Sequence, residues 1–146
     1  MFKRILKLFK RKPRIGRSEK VSLPEFGIST IDAKIDTGAY RGAIHCKKIV
    51  FLERNGKKYV SFRLLDDSHP EYQEKDIVAH DYKIVQVTSS NGSTEDRVVI
   101  KTEIIIAGHS IQAELTLADR EAMTFPLLIG RKSIKRFLID PSLKNI

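Results

Sequence analysis

The segment Ala33-Lys34-Ile35-Asp36-Thr37-Gly38-Ala39 runs an apolar-flanked strand into a carboxylate and then directly into Thr-Gly. The strand fixes the carboxylate in space. Gly38 allows a tight turn and lets its backbone N–H approach that carboxylate. Thr37 adds a short hydroxyl that can hydrogen-bond inside an interface. Such a unit suits general acid–base chemistry at one carboxyl group. The same residues also compose a strand-ending turn capped by Asp, and the tripeptide alone leaves both readings open. A second segment, Pro126-Leu127-Leu128-Ile129-Gly130-Arg131, carries apolar residues into a glycine. Leading into a short helix over 130–137, it can complete a psi-shaped loop beside the Asp36 strand. The two segments together are far more specific than either alone.

The elements that must position these residues read as strands. Residues 49–54 and 59–65 flank Asn55-Gly56, a pair that favours the left-handed dihedrals of a type I′ hairpin turn. Residues 82–88 and 98–106 flank a polar tip, Ser89-Ser90-Asn91-Gly92-Ser93-Thr94, and predict a second hairpin. Ala107-Gly108-His109 turns the chain again, and 110–117 alternates. It sets Ile111, Ala113, Leu115 and Leu117 on one face and Gln112, Glu114 and Thr116 on the other. The 130–137 segment is the one helix expected beyond the N-terminal tail, with Pro141 past its end. Strands spaced by turns, with one short C-terminal helix, predict a small closed β-barrel. The 66–76 loop, with Pro70 and His69, is expected at the surface.

Composition narrows the chemistry further. The chain has 146 residues and a formal charge of +9. Residues 1–20 hold nine Lys and Arg against the single acid Glu19, so most of that charge belongs to a tail. The body is nearly neutral and gives no basis for a nucleic-acid partner. Phe2, Ile5, Leu6 and Phe9 form an apolar helical stripe among the cations, and Pro13 should stop it. Residues 1–16 are therefore expected as a basic amphipathic tail ahead of a domain over 17–146. Residues 2–12 could make peripheral contact with anionic lipid, or simply solubilise the chain. The expected location is the cytoplasm, at the inner membrane face where the tail engages lipid. The single cysteine, Cys46, excludes an intramolecular disulfide framework, and neither a P-loop nor an HExxH motif is present. His45 and Cys46 are adjacent, and His69, His80 and His109 are scattered. No metal site and no cofactor are expected.

Asp36-Thr37-Gly38-Ala39 followed by Leu128-Ile129-Gly130-Arg131 resembles the retropepsin-like aspartic peptidases. The run Glu103-Ile104-Ile105-Ile106-Ala107-Gly108-His109, continued through Leu117, also looks like the strand–turn–strand before the second motif of retroviral proteases. A nearer resemblance is to the bacterial and archaeal family labelled ATP-dependent zinc proteases, which is grouped with retropepsins. It runs through Val21-Ser22-Leu23-Pro24, the Asp36 segment, Ser89-Ser90-Asn91-Gly92, Arg97, Thr116-Leu117-Ala118-Asp119-Arg120, Met123, the Gly130 segment and Asp140-Pro141. It covers roughly residues 17–142. The zinc and ATP of that label correspond to no motif here. The ATP fits an association with ATP-grasp ligases, such as the ribosomal-protein glutamate ligase.

The resemblance implies an aspartic endopeptidase, not a zinc protease. Such enzymes use two carboxylates about 3 Å apart that share one proton. Asp36-Thr37-Gly38 occurs once, so the second Asp36 must come from a homodimer partner, with Thr37 locking the two loops across the axis. The substrate would be a peptide or protein held as an extended strand under a flap formed by Ser89, Ser90, Asn91 and Gly92. Ala39, Arg97, Arg120 and Arg131 are the expected substrate-binding residues, and with Arg41 the arginines would select acidic peptides. In retroviral proteases an Asp after the Asp-Thr-Gly-Ala pairs with the Arg of the second motif. Tyr40-Arg41 stand there here, and Asp119 is the candidate replacement. A non-catalytic peptide-binding or regulatory module on the same fold is the alternative, tethered to membrane by its tail.

Overall fold

Alternation and turn residues divide the chain into strands. In the computed structural model, which describes residues 11–89 and 91–146, they run in order as β1 (Arg14–Gly16), β2 (Ser18–Leu23), β3 (Ile28–Asp36), β4 (Gly42–Arg54), β5 (Lys57–Leu64), β6 (Ile77–Ala79), β7 (Lys83–Thr88), β8 (Thr94–Ile106), β9 (His109–Ala118), β10 (Leu127–Gly130) and β11 (Leu138–Asp140). The predicted turns set the pairings. Asn55 and Gly56 sit at φ 52° and 75° and fold β4 onto β5, with Arg54 opposite Lys57. Ala107 and Gly108, at φ 48° and 75°, fold β8 onto β9. Positive φ at both turn residues matches the twist of the strands they join. The β7–β8 hairpin closes with Thr88 opposite Thr94.

Six strands close on themselves in the order β10, β3, β2, β8, β9, β4, with β4 returning to β10. The buried side chains inside include Ile31, Ile44, Ile104, Ile106, Leu115, Leu127 and Ile129. Each such residue contributes about 2 kcal/mol of burial. The all-β class holds, but the predicted closed barrel is a ring of unequal strands. β10 has only four residues, lying parallel to β3 and antiparallel to β4. The outer half of β4 leaves the ring to pair with β5, which carries β6. β7 projects beside β8, and β1 and β11 form a separate parallel pair.

The predicted C-terminal helix is replaced by a single 3-10 turn, Arg131–Ser133. The N–H of Ile134 donates to Arg131 at 3.4 Å and that of Phe137 to Ile134 at 3.0 Å, each spanning three residues. Ile134 and Phe137 must both reach the core, and Leu138 then enters β11 opposite Arg14, so no length remains for an α-helix. At the other end, Ile15 is fully buried and β1 pairs with β11. The fold thus takes in Arg14–Gly16, which the sequence reading placed in the tail. The amphipathic stripe at 2–9 lies outside the described residues. Among those described, no helix is long and apolar enough to cross a membrane.

Candidate active site

β10 lies between β3 and β4, so the chain leaving β3 must loop over the end of β10 to enter β4. This is the predicted psi-shaped loop. It sets Gly130 in register with Asp36. A Cβ on Gly130 would stand 2.6 Å from the carbonyl carbon and oxygen of Arg41 and 2.7 Å from the carbonyl oxygen of Tyr40. Only glycine lets the 37–41 loop cross at that height. The following residues then hold the loop. The N–H of Arg131 donates to Ala39 at 2.8 Å, and that of Lys132 donates to Tyr40 at 3.1 Å.

Asp36 is half-buried at the end of β3, and its Oδ1 accepts the Gly38 N–H at 2.9 Å. It opens on a groove of about 800 Å³ lined by Asp36, Gly38, Ala39, residues 85–89 of the β7 arm, Arg97 and Arg120, among others. Among the described residues, Asp36 is the one acid lining it. Thr37 is exposed beside the groove. The hairpin tip is tied to itself: the Gly92 N–H donates to Ser89 at 3.0 Å, and Asn91 Oδ1 accepts the Ser93 N–H at 3.1 Å. Gly92 takes φ 87°. Ser90 lies outside the described residues.

The arginines divide. Arg97 and Arg120 line the groove, Arg97 paired with Glu95. Burial, and then the neighbouring charge of Arg97, press the Arg120 guanidinium below its ordinary value, while the Asp36 charge opposes them. These three charges therefore share one environment. Arg131 is exposed instead. Its Nη1 donates to the Gly38 carbonyl at 3.2 Å and its guanidinium lies over the Tyr40 ring at 5.5 Å. It does not pair with Asp119, which accepts the Glu121 N–H at 3.0 Å. Buttressed by a carbonyl and an aromatic ring, an exposed guanidinium needs no carboxylate partner.

Two polar clusters were not anticipated. Glu114 was expected on the polar face of β9, yet its side chain is 7% exposed. It meets Lys132 at 2.7 Å, Arg41 at 3.0 Å and Lys83 at 3.3 Å. The Lys132 hydrogen bond leads the effects that outweigh burial and hold this carboxyl at about 2. Arg41, expected to face an acidic substrate, does line the groove, with its Nε bonded to Glu114. The second cluster joins buried His45 to Asp66 at 2.6 Å. Alternation could have flagged Glu114 only as a polar-face residue, because its three partners lie far along the chain.

Cys46 is buried, and burial pushes its thiol up to about 12, so it stays protonated. Among the described residues no three His, Cys, Asp or Glu side chains converge as metal ligands.

Comparison with known proteins identifies the family. The family described as RimB-like, retropepsin-like aspartic endopeptidase RimB, matches residues 14–146. Proteins named probable alpha-L-glutamate ligase from Shewanella halifaxensis and Desulfotalea psychrophila are each 35% identical, over 88% and 89% of this chain. The chain spans only 28% of the length of these relatives. A crystal structure of Lpg0085 from Legionella pneumophila, a protein of unknown function (DUF785), superposes with a TM-score of 0.69. It is 25% identical and covers 91% of this chain and 96% of its own.

Proposed function

Because the chain belongs to the RimB-like family of retropepsin-like aspartic endopeptidases, we propose that it hydrolyses peptide bonds as a homodimer with one Asp36 from each subunit. The observation that carries this reading is Asp36 itself: a half-buried carboxylate on a groove of about 800 Å³, and the one acid among the described residues that line it. A lone carboxylate cannot be general base and general acid at once. Two Asp36 groups about 3 Å apart would share a proton. The ionised one takes a proton from water as it attacks the scissile carbonyl. The protonated one donates to the carbonyl oxygen. Exposed Thr37, next in sequence, is available to bond across the two-fold axis.

The peptide would lie along β7, which among the described residues pairs only with β8 and brings residues 85–89 to the groove. Main-chain bonds to that free edge hold an extended strand without reading its sequence. Selectivity then falls to Arg97 and Arg120, which favour acidic side chains. Relatives named as glutamate ligases are consistent with a glutamate-rich substrate. The tip at Ser89, Asn91 and Gly92 would serve as the flap. Residues 2–12 are a candidate membrane-surface contact, testable by sedimentation with anionic vesicles.

Light scattering over a concentration series, paired with cleavage of an acidic peptide library, tests this reading. It expects a reversible dimer, cleavage that rises with dimer fraction, and none in Asp36→Asn. A strict monomer, or an Asp36→Asn protein that cleaves as well as wild type, would favour the non-catalytic peptide-binding module.

A further inference from the structure

Arg120 reaches the groove from residues 119–126, a stretch between β9 and β10 that belongs to no strand. Something else must hold it if its guanidinium is to stay near Asp36. Its Nε donates to the Phe125 carbonyl at 3.1 Å. Its backbone N–H donates to Nδ1 of His45 at 2.8 Å. His45 is 4% exposed on β4. Its own N–H donates to Pro126 at 2.8 Å, and its carbonyl accepts from Leu65 at 2.9 Å. The imidazole is therefore a fixed post against which the turn rests.

The partners also choose its tautomer. Nε2 lies 2.6 Å from Asp66 Oδ2. The other oxygen of Asp66 accepts the Ser68 N–H at 2.9 Å and the Ser68 hydroxyl, and these bonds lead in holding the carboxyl at about 2. An ionised carboxylate can only accept, so Nε2 carries the hydrogen and Nδ1 is left bare for Arg120. The opposite tautomer would aim Nδ1–H toward Asp119 Oδ1, 3.7 Å away, and displace the Arg120 N–H.

We infer that His45 is a positioning residue: held in its Nε2–H tautomer by Asp66, it fixes the Arg120 backbone and so the guanidinium that meets substrate. The substrate step rests on the peptidase reading; the positioning step does not. Asn at 45 sets an amide oxygen near the place of Nδ1 and can accept from Arg120. Gln at 45 reaches the place of Nε2 and serves only Asp66. Asp66→Asn can donate to Nε2 and thereby select the wrong tautomer.

Amide exchange by NMR and steady-state kinetics on an acidic peptide, run on full-length protein, test this. His45→Gln and Asp66→Asn should speed exchange of the Arg120 amide about tenfold or more. They should also raise KM about tenfold with kcat within about twofold. His45→Asn should stay near wild type in both. Imidazole nitrogen shifts of the wild type should report Nε2 protonated and Nδ1 bare. Unchanged Arg120 protection in His45→Gln overturns the inference, and so does an Nδ1–H tautomer. Equal losses in His45→Asn and His45→Gln also overturn it, because they mark a packing role. Should wild type cleave nothing while exchange follows the expected order, the peptidase reading fails and the positioning stands.

Discussion

Two carboxylates a short way apart in the fold have opposite surroundings. Glu114 is enclosed by Lys132, Arg41 and Lys83 and pulled to about 2. Asp36 takes a single N–H, from Gly38, and faces a groove. The three cations on Glu114 come from the loop that follows Asp36, from the 3-10 turn after Gly130, and from the first residue of the β7 arm. One saturated carboxylate therefore fastens together the three segments that shape the groove, and the other is left free within it. Protonation chemistry needs a carboxyl group whose two states are close in free energy. Surrounding cations remove that balance and leave a structural fastener.

Asp36→Asn breaks the comparison most severely. It should lower kcat/KM for a cleavable peptide by about a thousandfold or more, with the urea midpoint unchanged. Loss of activity with a matching loss of stability would instead make Asp36 a structural cap. Gly130→Ala strikes the floor that both regions share. A Cβ 2.6 Å from the backbone of Arg41 has no flexible side chain to displace. A destabilisation of about 3 kcal/mol is expected in urea titration, with loss of cleavage because the 37–41 loop must lift. An alanine variant as stable as wild type would mean that the loop crosses more than 2.6 Å from a Cβ at position 130. Glu114→Gln comes next, at about 2 kcal/mol. That figure is held down because Lys83 and Lys132 are 49% and 34% exposed and can turn to water. Its cleavage should fall much less than that of Asp36→Asn; an equal fall would erase the distinction between the two carboxylates.

The difference between these regions also marks what could be read from sequence. Asp36-Thr37-Gly38 and Ile129-Gly130 are local patterns, and each states its own backbone requirement. Their pairing follows from one strand slotting between two others. Asn55-Gly56 and Ala107-Gly108 announced their hairpins in the same way. The Glu114 cluster draws on Lys132, Lys83 and Arg41, which are 18, 31 and 73 positions away. Alternation placed Glu114 on a polar face but could not say that cations, in place of water, would cover it. His45 depends on partners 21 and 75 positions away. The 130–137 segment failed for another reason. Ile134 and Phe137, three apart, suit an α-helix and a 3-10 turn alike, and the β1–β11 pairing decided between them.

Acid separates the carboxylates most gently. Glu114 and Asp66 are both held at about 2, below ordinary values of 4.5 and 3.8. A lowered folded-state pKa means that the unfolded chain binds more protons in the interval between the two values. Stability from these groups is therefore complete above the ordinary values and is lost as pH falls toward about 2. The melting temperature should fall most steeply below about pH 4.5, as these two carboxyl groups take up protons. Glu114→Gln should start from a lower melting temperature and show a shallower acid limb. A pH–rate profile taken above that limb reports the groove and not unfolding. Were the acid limb of Glu114→Gln as steep as that of the wild type, Glu114 would lose its place as the fastener.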